Sequence, residues 1–446
     1  MRKALEIARE KVFWCNDALK GAAFRRHYDE IARNLTAVEQ DVSSRNLRKL
    51  TSLLNHATSS VPFYHGISAG ANLEDFPIVS KTTIRENFNA FISNAFTEEQ
   101  QIATVTSGST GTPFKVLQHR DKKIRNQADT LYFARLTGYR VGDRLLYLKI
   151  WSDNNRKSQW ANLLQNMVPV DVISFNDSEV ARLVDNMQRD GSTYAMLGYS
   201  SAIEQICRWL DKVGHGPVRT KLSSAISMSE TLNDYTKQTI QKYFGAPVYS
   251  RYSNLENGIL AQQITGSDSR YLINTASYVI EVVKMTNETP ASPGELGRIV
   301  VTDLYNRLMP MIRYDTGDIG ALSESSDAYG NRYLDLVEGR KLDLLFATDG
   351  SLVSSYIVYK NMWQYTEITQ YQLIQYGSKD YLFKINMDGT FDREQKLIGE
   401  FKQYLGQDAN FQIEYVKEIP LLSSGKRKKI ANTYHTSIAT TSSQQL

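Results

Sequence analysis

Arg144-Leu-Leu-Tyr-Leu-Lys-Ile-Trp151 begins the stretch of sequence that determines the fold class. Two more short runs rich in β-forming residues follow it, Tyr194-Ala-Met-Leu-Gly-Tyr199 and Leu222-Ser-Ser-Ala-Ile-Ser-Met228. Segments with helical periodicity separate and follow these runs, at residues 202–213 and 232–245. Because β-runs that alternate with helices are typical of parallel strands covered by helices, the sequence predicts an α/β fold.

The sequence on either side of this stretch divides the chain further. Residues 1–60 have helical periodicity, and Val61-Pro62 ends this helical leader. Near Arg340 the pattern changes to short strands and one helix, and the C-terminal end is rich in Ser, Thr and Gln. We expect a large N-terminal domain of mixed sheets and helices over residues 1–339, a small α+β domain over 340–431 and a disordered tail over 432–446.

The start of the chain predicts an amphipathic helix rather than a secretion signal, because charged residues interrupt its apolar residues. We expect this helix to pack on the body of the protein through its apolar side chains, which are Leu5, Ile7, Ala8, Val12 and Phe13. The sequence contains no run of about 20 apolar residues, which excludes a membrane-spanning helix.

Composition and charge exclude several classes of function. The chain has 446 residues and a net charge of +4, which gives no electrostatic basis for binding nucleic acid. Its two cysteines, Cys15 and Cys207, indicate a reducing, cytoplasmic compartment and cannot form a four-cysteine zinc site. The histidines are scattered and neither GxSxG nor HExxH occurs, which disfavours a hydrolase and a metalloenzyme.

The segment Thr104-Val-Thr-Ser-Gly-Ser-Thr-Gly-Thr-Pro-Phe-Lys115 is rich in glycine and hydroxyl side chains. Glycines allow close approach of the backbone, and the hydroxyls and amides around them can hold phosphate oxygens. The GxxxxGK[ST] spacing of nucleoside-triphosphatase P-loops is absent. Taken alone, this segment is also compatible with a polar surface loop.

A second informative segment, Tyr249-Ser-Arg-Tyr-Ser-Asn-Leu-Glu-Asn-Gly258, begins where a strand is expected to end. Ligands of open α/β sheets commonly bind at that end of the strands. Glu256 could hold magnesium, which prefers carboxylate and phosphate oxygens, and Tyr252 offers an aromatic face to a purine. Alternatively, Glu256 is a solvated loop residue.

Two further segments carry charged groups beside turns. In Met309-Pro-Met-Ile-Arg-Tyr-Asp-Thr-Gly-Asp318, the position of Asp318 after a tight glycine turn suits a hydrogen bond to a ribose diol. The alternative is an Asx-type turn with Arg313 as its ion partner. In Pro420-Leu-Leu-Ser-Ser-Gly-Lys-Arg-Lys-Lys429, the flexible Ser-Gly pair could deliver Lys426 into a distant site; the alternative is a basic, solvated stretch.

In this order and at these separations, the segments resemble the adenylate-forming enzyme superfamily, and within it the phenylacetate–CoA ligase family with its capsule-biosynthesis relatives. The resemblance runs through most of the chain. The matching residues are 46–64, 73–86, 106–115, 229–230, 251–256, 302–318, 339–340 and 424–426.

The resemblance implies a ligase that works in two half-reactions. A carboxylic acid attacks the α-phosphorus of ATP and gives an acyl-adenylate and pyrophosphate, and a thiol of CoA or of a carrier then takes the acyl group. ATP, magnesium and coenzyme A are the implied cofactors, and a small mobile C-terminal domain is expected to rotate between the two half-reactions. The capsule-biosynthesis relatives suggest surface-polysaccharide decoration as a setting.

The resemblance also assigns roles to individual residues. The residues that the resemblance assigns to binding the triphosphate are Thr106, Ser107, Gly108, Ser109, Thr110, Gly111 and Lys115. The residues assigned to the nucleoside side are Ser229, Glu230, Tyr252, Ser253, Asp318 and Arg340. Lys426 and Glu256 are the catalytic residues, with Glu256 also binding magnesium, and the acyl pocket is expected at Trp151, Tyr199 and Ser227.

Several positions depart from the family pattern. Ser253 stands where the family has glycine, Leu255 where it has Thr or Ser, and Leu342 where it has the hinge aspartate; Phe114 separates a Pro and a Lys that are often adjacent. Two alternatives therefore stay open: transfer of the acyl group to an amine, hydroxyl or sugar, or a catalytically weakened nucleotide-binding scaffold. The retention of acidic and basic site residues favours the enzyme.

Overall fold

The computed structural model describes residues 2–36, 39–106, 114–151, 158–266, 268–340, 345–353, 356–362, 364–365, 367–387, 389, 391–420 and 427–434. The chain divides into two compact units. Residues up to Val337 form most of the first unit, and residues from Glu338 form most of the second.

The helices are α1 (Arg2–Leu19), α2 (Ala23–Thr36), α3 (Glu39–Ser60), α4 (Lys81–Glu86), α5 (Arg120–Leu136), α6 (Gln159–Leu164), α7 (Asp177–Asp190), α8 (Ser200–Lys212), α9 (Asp234–Phe244), α10 (Tyr356–Met362) and α11 (Glu394–Leu405). Short 3₁₀ turns lie at Pro62–Tyr64, Leu73–Asp75, Phe88–Phe91 and Glu98–Gln100. None of the helices in the described part of the chain is long and apolar enough to cross a membrane.

The strands of the first unit are β1 (Ile102–Thr106), β2 (Phe114–Gln118), β3 (Arg144–Lys149), β4 (Met167–Asp171), β5 (Thr193–Tyr199), β6 (Lys221–Met228), β7 (Val248–Asn254), β8 (Gly258–Gln262), β9 (Tyr271–Ile273), β10 (Tyr278–Val283), β11 (Gly297–Asp303), β12 (Tyr314–Leu322) and β13 (Tyr333–Arg340). The later strands are β14 (Leu345–Phe346), β15 (Leu352–Val353), β16 (Ile368–Gln375), β17 (Asp380–Met387), β18 (Asn410–Tyr415) and β19 (Ile430–Asn432).

One large sheet organises the first unit. Its strand order among the described residues is β10-β11-β12-β13-β9-β8-β7-β6-β5-β3-β4. The strands β4, β3, β5, β6 and β7 run parallel, with α7, α8 and α9 connecting successive strands of this group. This arrangement confirms the α/β fold that the alternating sequence pattern predicts.

Among the remaining strands of the large sheet, the described pairs β7–β8, β8–β9, β9–β13, β10–β11 and β11–β12 are antiparallel. Strand β8 folds back on β7, and β10 and β11 pair across the Pro/Gly turn between them. Strands β1 and β2 form a separate antiparallel pair. The direction of the sheet changes between β7 and β8, so the loop that joins these strands lies at the carboxyl end of the last parallel strand, where α/β sheets commonly bind ligands.

The helical leader packs on this unit, but α1 uses only part of the face that the sequence predicts. Leu5 and Val12 are 51% and 62% exposed. Of the expected side chains, Phe13 does pack, with its ring 5.3 Å from that of Phe24. Glu6 adds a polar contact, since its Oε1 accepts a hydrogen bond of 2.9 Å from the amide of Thr193. The apolar periodicity therefore predicts the helix correctly and its packed face only in part.

The second unit has its own sheet and core. Its sheet has the order β18-β17-β16-β19, with β16 and β17 antiparallel and the outer strands parallel to their neighbours. Helix α11 buries Leu397, Phe401 and Leu405 in this core. The sequence predicts one helix here; α10 is additional, and its β-branched and aromatic residues favour strand locally.

Candidate active site

The carboxylate of Glu256 lies at the centre of the candidate site. It belongs to the loop between β7 and β8, and only 3% of its side chain is exposed. Its Oε1 accepts a hydrogen bond of 2.8 Å from Tyr314 Oη and lies 3.1 Å from Nζ of Lys81. The buried carboxylate therefore has a phenol hydrogen-bond donor and an ammonium group as its direct neighbours.

Backbone contacts hold the loop of Glu256 in place. Gln118 Nε2 donates to the carbonyl oxygen of Glu256 at 2.7 Å, and Tyr278 Oη donates to the carbonyl oxygen of Asn257 at 2.6 Å. Gly258 follows with φ +124°, and a Cβ atom there would come within 2.9 Å of Tyr278 Oη. The glycine is therefore required both by the backbone conformation and by the close approach of the tyrosine.

Lys81 is the cation of the site, and the residue-by-residue assignments from the sequence did not include it. It is the first residue of α4, which Ser80 caps by accepting a hydrogen bond of 3.1 Å from the amide of Thr83. A cation at a helix N-terminus is electrostatically unfavourable, so this position is explained by the nearby carboxylate of Glu256 rather than by the helix. In the sequence, a lysine directly after a capping serine is the feature that could have indicated that Lys81 has a nearby anionic partner.

An aromatic pair closes the site beside Lys81. The ring of Phe114 in β2 lies parallel to that of Tyr314, with centroids 6.2 Å apart. Lys81 Nζ lies 5.8 Å from the centroid of the Phe114 ring. Burial, and next the charge of Glu256, raises the pKa of Tyr314 well above its ordinary value. The phenol therefore stays protonated and acts as a hydrogen-bond donor at neutral pH.

Tyr252 and Asp318 meet in the same region. Tyr252 Oη donates to Asp318 Oδ2 at 2.9 Å, and Thr316 Oγ1 lies 3.3 Å from the same phenol oxygen. Burial, and next the charge of Asp318, raises the pKa of Tyr252 well above its ordinary value. The charge of Asp318 also acts on Tyr314, so both tyrosines share one environment. We call Lys81, Phe114, Tyr252, Glu256, Tyr314 and Asp318 the Glu256 cluster.

Arg313 has a different ion partner from the one that the alternative interpretation of Asp318 requires. Its guanidinium pairs with Glu281 through contacts of 3.1 Å and 3.3 Å. The turn at Gly317 is formed by Asp315, whose Oδ1 accepts from the amide of Gly317 at 2.9 Å. An Asx-type turn is therefore present, but it does not occupy the carboxylate of Asp318.

Some of the expected residues lie away from the Glu256 cluster. Lys115 follows Phe114 in β2, so it points to the opposite face of the strand, and its Nζ lies 5.4 Å above the ring of Phe88. Glu230 Oε2 accepts a hydrogen bond of 2.8 Å from the amide of Ser201 at the start of α8, which gives it a capping role. Ser229 beside it has φ +69°.

The expected acyl-pocket residues lie at the carboxyl ends of neighbouring parallel strands. Trp151 follows β3, is 6% exposed and donates from Nε1 to the carbonyl oxygen of Tyr147 at 3.3 Å. Tyr199 is the last residue of β5, and Ser227 in β6 pairs with the neighbour of Tyr199, Gly198. The hydroxyl of Ser227 is buried and has no hydrogen-bond partner among the described residues.

Several expected site residues lie outside the described residues, so their roles stay predictions from the sequence. They are Ser107, Gly108, Ser109, Thr110, Gly111 and Lys426. For Thr106 and Arg340 the structure describes the backbone, as part of β1 and β13, and not the side chain. Ser253 is half-buried in β7, next to an irregularity in the pairing of β7 with β8.

The described residues contain no group of three or more His, Cys, Asp or Glu side chains that could hold a metal ion by themselves. Magnesium, however, is commonly bound by one or two carboxylates together with substrate phosphates and water. The single carboxylate of Glu256, buried beside hydrogen-bond donors, fits that mode and does not fit a metal site made of protein ligands alone.

Comparisons with known proteins relate this arrangement to a family. Residues 345–433 match the family model of the CapK C-terminal domain. Protein CapK of Staphylococcus aureus is 22% identical over 438 residues, which cover 94% of this chain and 90% of that protein. A phenylacetate-coenzyme A ligase of Pseudomonas putida is 23% identical over 325 residues, covering 70% of this chain and 73% of the ligase. The chain is a homologue of CapK and of the phenylacetate–CoA ligases.

The solved structures agree with this relationship at the level of the fold. A crystal structure of a 2-hydroxyisobutyryl-CoA ligase, in complex with R3-HIB-AMP in the postadenylation state, superposes with a TM-score of 0.71. The match covers 93% of this chain and 94% of that one at 17% identity. The chain therefore has the fold of the adenylate-forming enzymes, as its sequence motifs predict.

Proposed function

We propose that this protein activates a carboxylic acid with ATP as an acyl-adenylate and then transfers the acyl group to a thiol. The observation that carries this proposal is the Glu256 cluster, in which a buried carboxylate, a lysine and two buried tyrosines lie beside Asp318. Homology to ligases that form CoA esters supports the same reaction class.

The first half-reaction brings two anions together, the carboxylate of the acid and the α-phosphate of ATP. Cationic and dipolar groups must offset their repulsion and stabilise the negative charge that develops on the phosphoryl oxygens. Lys81 and the phenol of Tyr314 are the described groups that can do this next to Glu256. When bound, magnesium would neutralise phosphate charge, and Glu256 is the residue that would hold it.

The nucleoside would be held by the other half of the cluster. Asp318 would accept hydrogen bonds from the ribose hydroxyls, and Tyr252 would place its ring against the adenine. The hydrogen bond between Tyr252 Oη and Asp318 Oδ2 fixes the orientation of both side chains before ATP binds. Such preorganisation lowers the entropic cost of binding, because neither side chain has to be ordered by the nucleotide.

The remaining roles rest on the sequence. We propose that the loop of residues 106–111 binds the triphosphate, that Arg340 supports the ribose or the phosphates, and that Lys426 bridges the carboxylate and phosphate oxygens during adenylation. Coenzyme A is the proposed thiol, with a carrier protein, an amine, a hydroxyl or a sugar as the alternative acceptors. A role in surface-polysaccharide biosynthesis and a cytoplasmic location stay predictions.

The test is the release of pyrophosphate from ATP in the presence of magnesium. Aryl, fatty, hydroxy and amino acids are each supplied with and without CoA, and reactions without acid or with EDTA are the controls. We expect release with one class of acid and faster turnover when CoA is added. Acid-dependent release of pyrophosphate that CoA does not accelerate would indicate that the acyl acceptor is a carrier protein, an amine or a sugar. ATP binding without release for any acid would support the scaffold.

A further inference from the structure

Arg251 is a buried cation that has no carboxylate partner among the residues that the structure describes. It lies in β7, and it is 6% exposed. Its Nε donates a hydrogen bond of 2.6 Å to Oε1 of Gln262, while its Nη2 is buried and has no hydrogen-bond partner in the described ranges. Within the described part of the chain, no Asp or Glu side chain forms an ion pair with it.

The other buried cationic side chains in the described part of the chain differ from Arg251, because each of them has a carboxylate partner. Lys122 lies 2.7 Å from Asp303, Arg125 lies 3.2 Å from Glu30, and Arg313 lies 3.1 Å from Glu281. Each of these three has a carboxylate that offsets its desolvation. Among the described residues, the guanidinium of Arg251 is the exception, because no carboxylate offsets the loss of its hydration.

The strand pairing places Arg251 next to the expected acyl pocket. Tyr199 in β5 pairs with Met228 in β6, and Met228 pairs with Arg251 in β7. These three residues therefore form one row across the sheet, and side chains in such a row share a face. The row lies at the carboxyl end of the parallel strands and contains Tyr199 of the expected acyl pocket, whereas Ser227 lies in the adjacent row and points to the opposite face.

Aromatic side chains surround this position. Tyr147 in β3 is the one ionisable group of the described residues whose charge acts on Arg251. The ring of Trp151 packs edge to face on Tyr147 at 5.4 Å, and Lys149 Nζ lies 4.2 Å above Trp151. Tyr147, which acts on Arg251, thus belongs to an aromatic pair that also contacts a second cation, Lys149. Burial lowers the pKa of Arg251 to about 10, so it is still a cation at neutral pH.

The direction of the side chain separates Arg251 from the nucleotide. Successive residues of a strand point to opposite faces, and Tyr252 points towards Thr316 and Asp318. Arg251 points instead to Gln262, whose own Nε2 donates to the carbonyl oxygen of Phe133 in α5. A group bound by Arg251 would therefore lie apart from the nucleotide and would not be the carboxylate that reacts with ATP.

We propose that the acid activated by this protein is a dicarboxylic acid, whose second, unreactive carboxylate is bound by Arg251. The inference rests on the proposed function and narrows its substrate class. A carboxylate supplies the two acceptor oxygens that a guanidinium fits. The tyrosine and tryptophan side chains would contact the body of the acid, so aryl as well as alkyl dicarboxylic acids fit.

Matched pairs of acids test this assignment. Hexanoate is compared with adipate, and phenylacetate with 4-carboxyphenylacetate, by their kcat/KM for pyrophosphate release. The variants are Arg251→Met, which removes the charge, and Arg251→Lys, which keeps it. The control is Arg208→Met, since Arg208 is a partly buried arginine that has a carboxylate partner, Glu204, within α8. All variants are first checked for an unchanged melting temperature and for ATP binding.

We expect the kcat/KM of the wild type to be higher for at least one dicarboxylic acid than for the matched monocarboxylic acid, by about 100-fold or more. The reason is that a site built for a polar group rejects analogues that lack it. Arg251→Met should abolish that preference, Arg251→Lys should keep part of it, and Arg208→Met should leave it unchanged. Two results would overturn the inference while leaving the proposed function intact. One is an equal loss of kcat/KM for both acids of a pair in Arg251→Met. The other is adenylation by the wild type without any preference for a dicarboxylic acid.

A binding measurement separates this inference from the proposed function. If no acid supports pyrophosphate release, the proposed function fails, and the rise in melting temperature caused by each acid is then measured without ATP. A rise with the dicarboxylic acid that is absent in Arg251→Met would support the anion site. No difference between wild type and Arg251→Met would overturn it.

Discussion

Lys81 Nζ lies 3.1 Å from Oε1 of Glu256, so the first residue of α4 meets the carboxylate of the loop between β7 and β8. The contact brings together two residues that are far apart in the sequence and belong to different segments of the adenylate-forming pattern. It also supplies a fixed cation at the place where the proposed reaction accumulates negative charge. Several of the expected experimental outcomes depend on this pair and its neighbours.

Lys81→Met should slow adenylation. The substitution removes the cation beside Glu256 but keeps the length of the side chain, and we expect the rate of pyrophosphate release to fall by about 100-fold. Lys115→Met is the matched control, because Lys115 lies over Phe88 on the other face of β2. A larger loss for Lys115→Met than for Lys81→Met would show that Lys115 is the catalytic cation.

Asp318→Ala should weaken the binding of ATP by about 10- to 100-fold, because a charged acceptor of ribose hydroxyls is lost. Calorimetric titration with ATP measures this effect directly. Asp177→Asn is a suitable control, since Asp177 pairs with Lys212 on the surface. Unchanged affinity in Asp318→Ala would remove this residue from the nucleotide site.

Lys426→Ala should separate the two half-reactions. We expect acyl-adenylate formation to be strongly reduced, because the proposed bridge between carboxylate and phosphate oxygens is lost. Transfer to CoA from a supplied acyl-adenylate should remain comparatively intact, and Lys428→Ala should leave both steps unchanged. If both half-reactions fell equally in Lys426→Ala, the role proposed for this lysine would be wrong.

Gly258→Ala should destabilise the protein and its site together. The added Cβ would lie 2.9 Å from Tyr278 Oη, and alanine would have to adopt φ +124°. We expect the free energy of unfolding to fall by about 1–3 kcal/mol, measured by denaturant titration. Gly66→Ala, where a Cβ meets nothing within 4 Å, should be close to neutral. Equal stability of the two variants would contradict the requirement for glycine.

The sequence predicts the fold well because hydrophobic periodicity is a local property. Strands β3, β5 and β6 and the helices between them follow from the pattern that begins at Arg144. The packed face of α1 could be predicted only in part, because Phe13 packs as expected, while Leu5 and Val12 are exposed and Glu6 makes a contact with Thr193. Burial of a helix face depends on its partners, which the local pattern does not contain.

The candidate site can be predicted only in part, because local sequence patterns do not contain the contacts between distant segments. Motifs identify Glu256, Tyr252 and Asp318, and the structure brings these three into one cluster. The motifs do not identify Lys81, because its role depends on a contact between distant segments. Likewise, the sequence contains Arg251 within a matched motif. That it has no carboxylate partner among the described residues becomes visible only when their buried cations are compared in three dimensions.

Acid-dependent exchange of labelled pyrophosphate into ATP is the most direct test of adenylation at Glu256, because it reports the first half-reaction without requiring the acceptor. The wild type is compared with Glu256→Gln, which keeps the shape of the side chain and removes its charge. We predict exchange with at least one carboxylic acid, and a loss of about 100-fold or more in Glu256→Gln. Exchange that is unchanged in Glu256→Gln, or absent with every acid although ATP binds, would contradict the account.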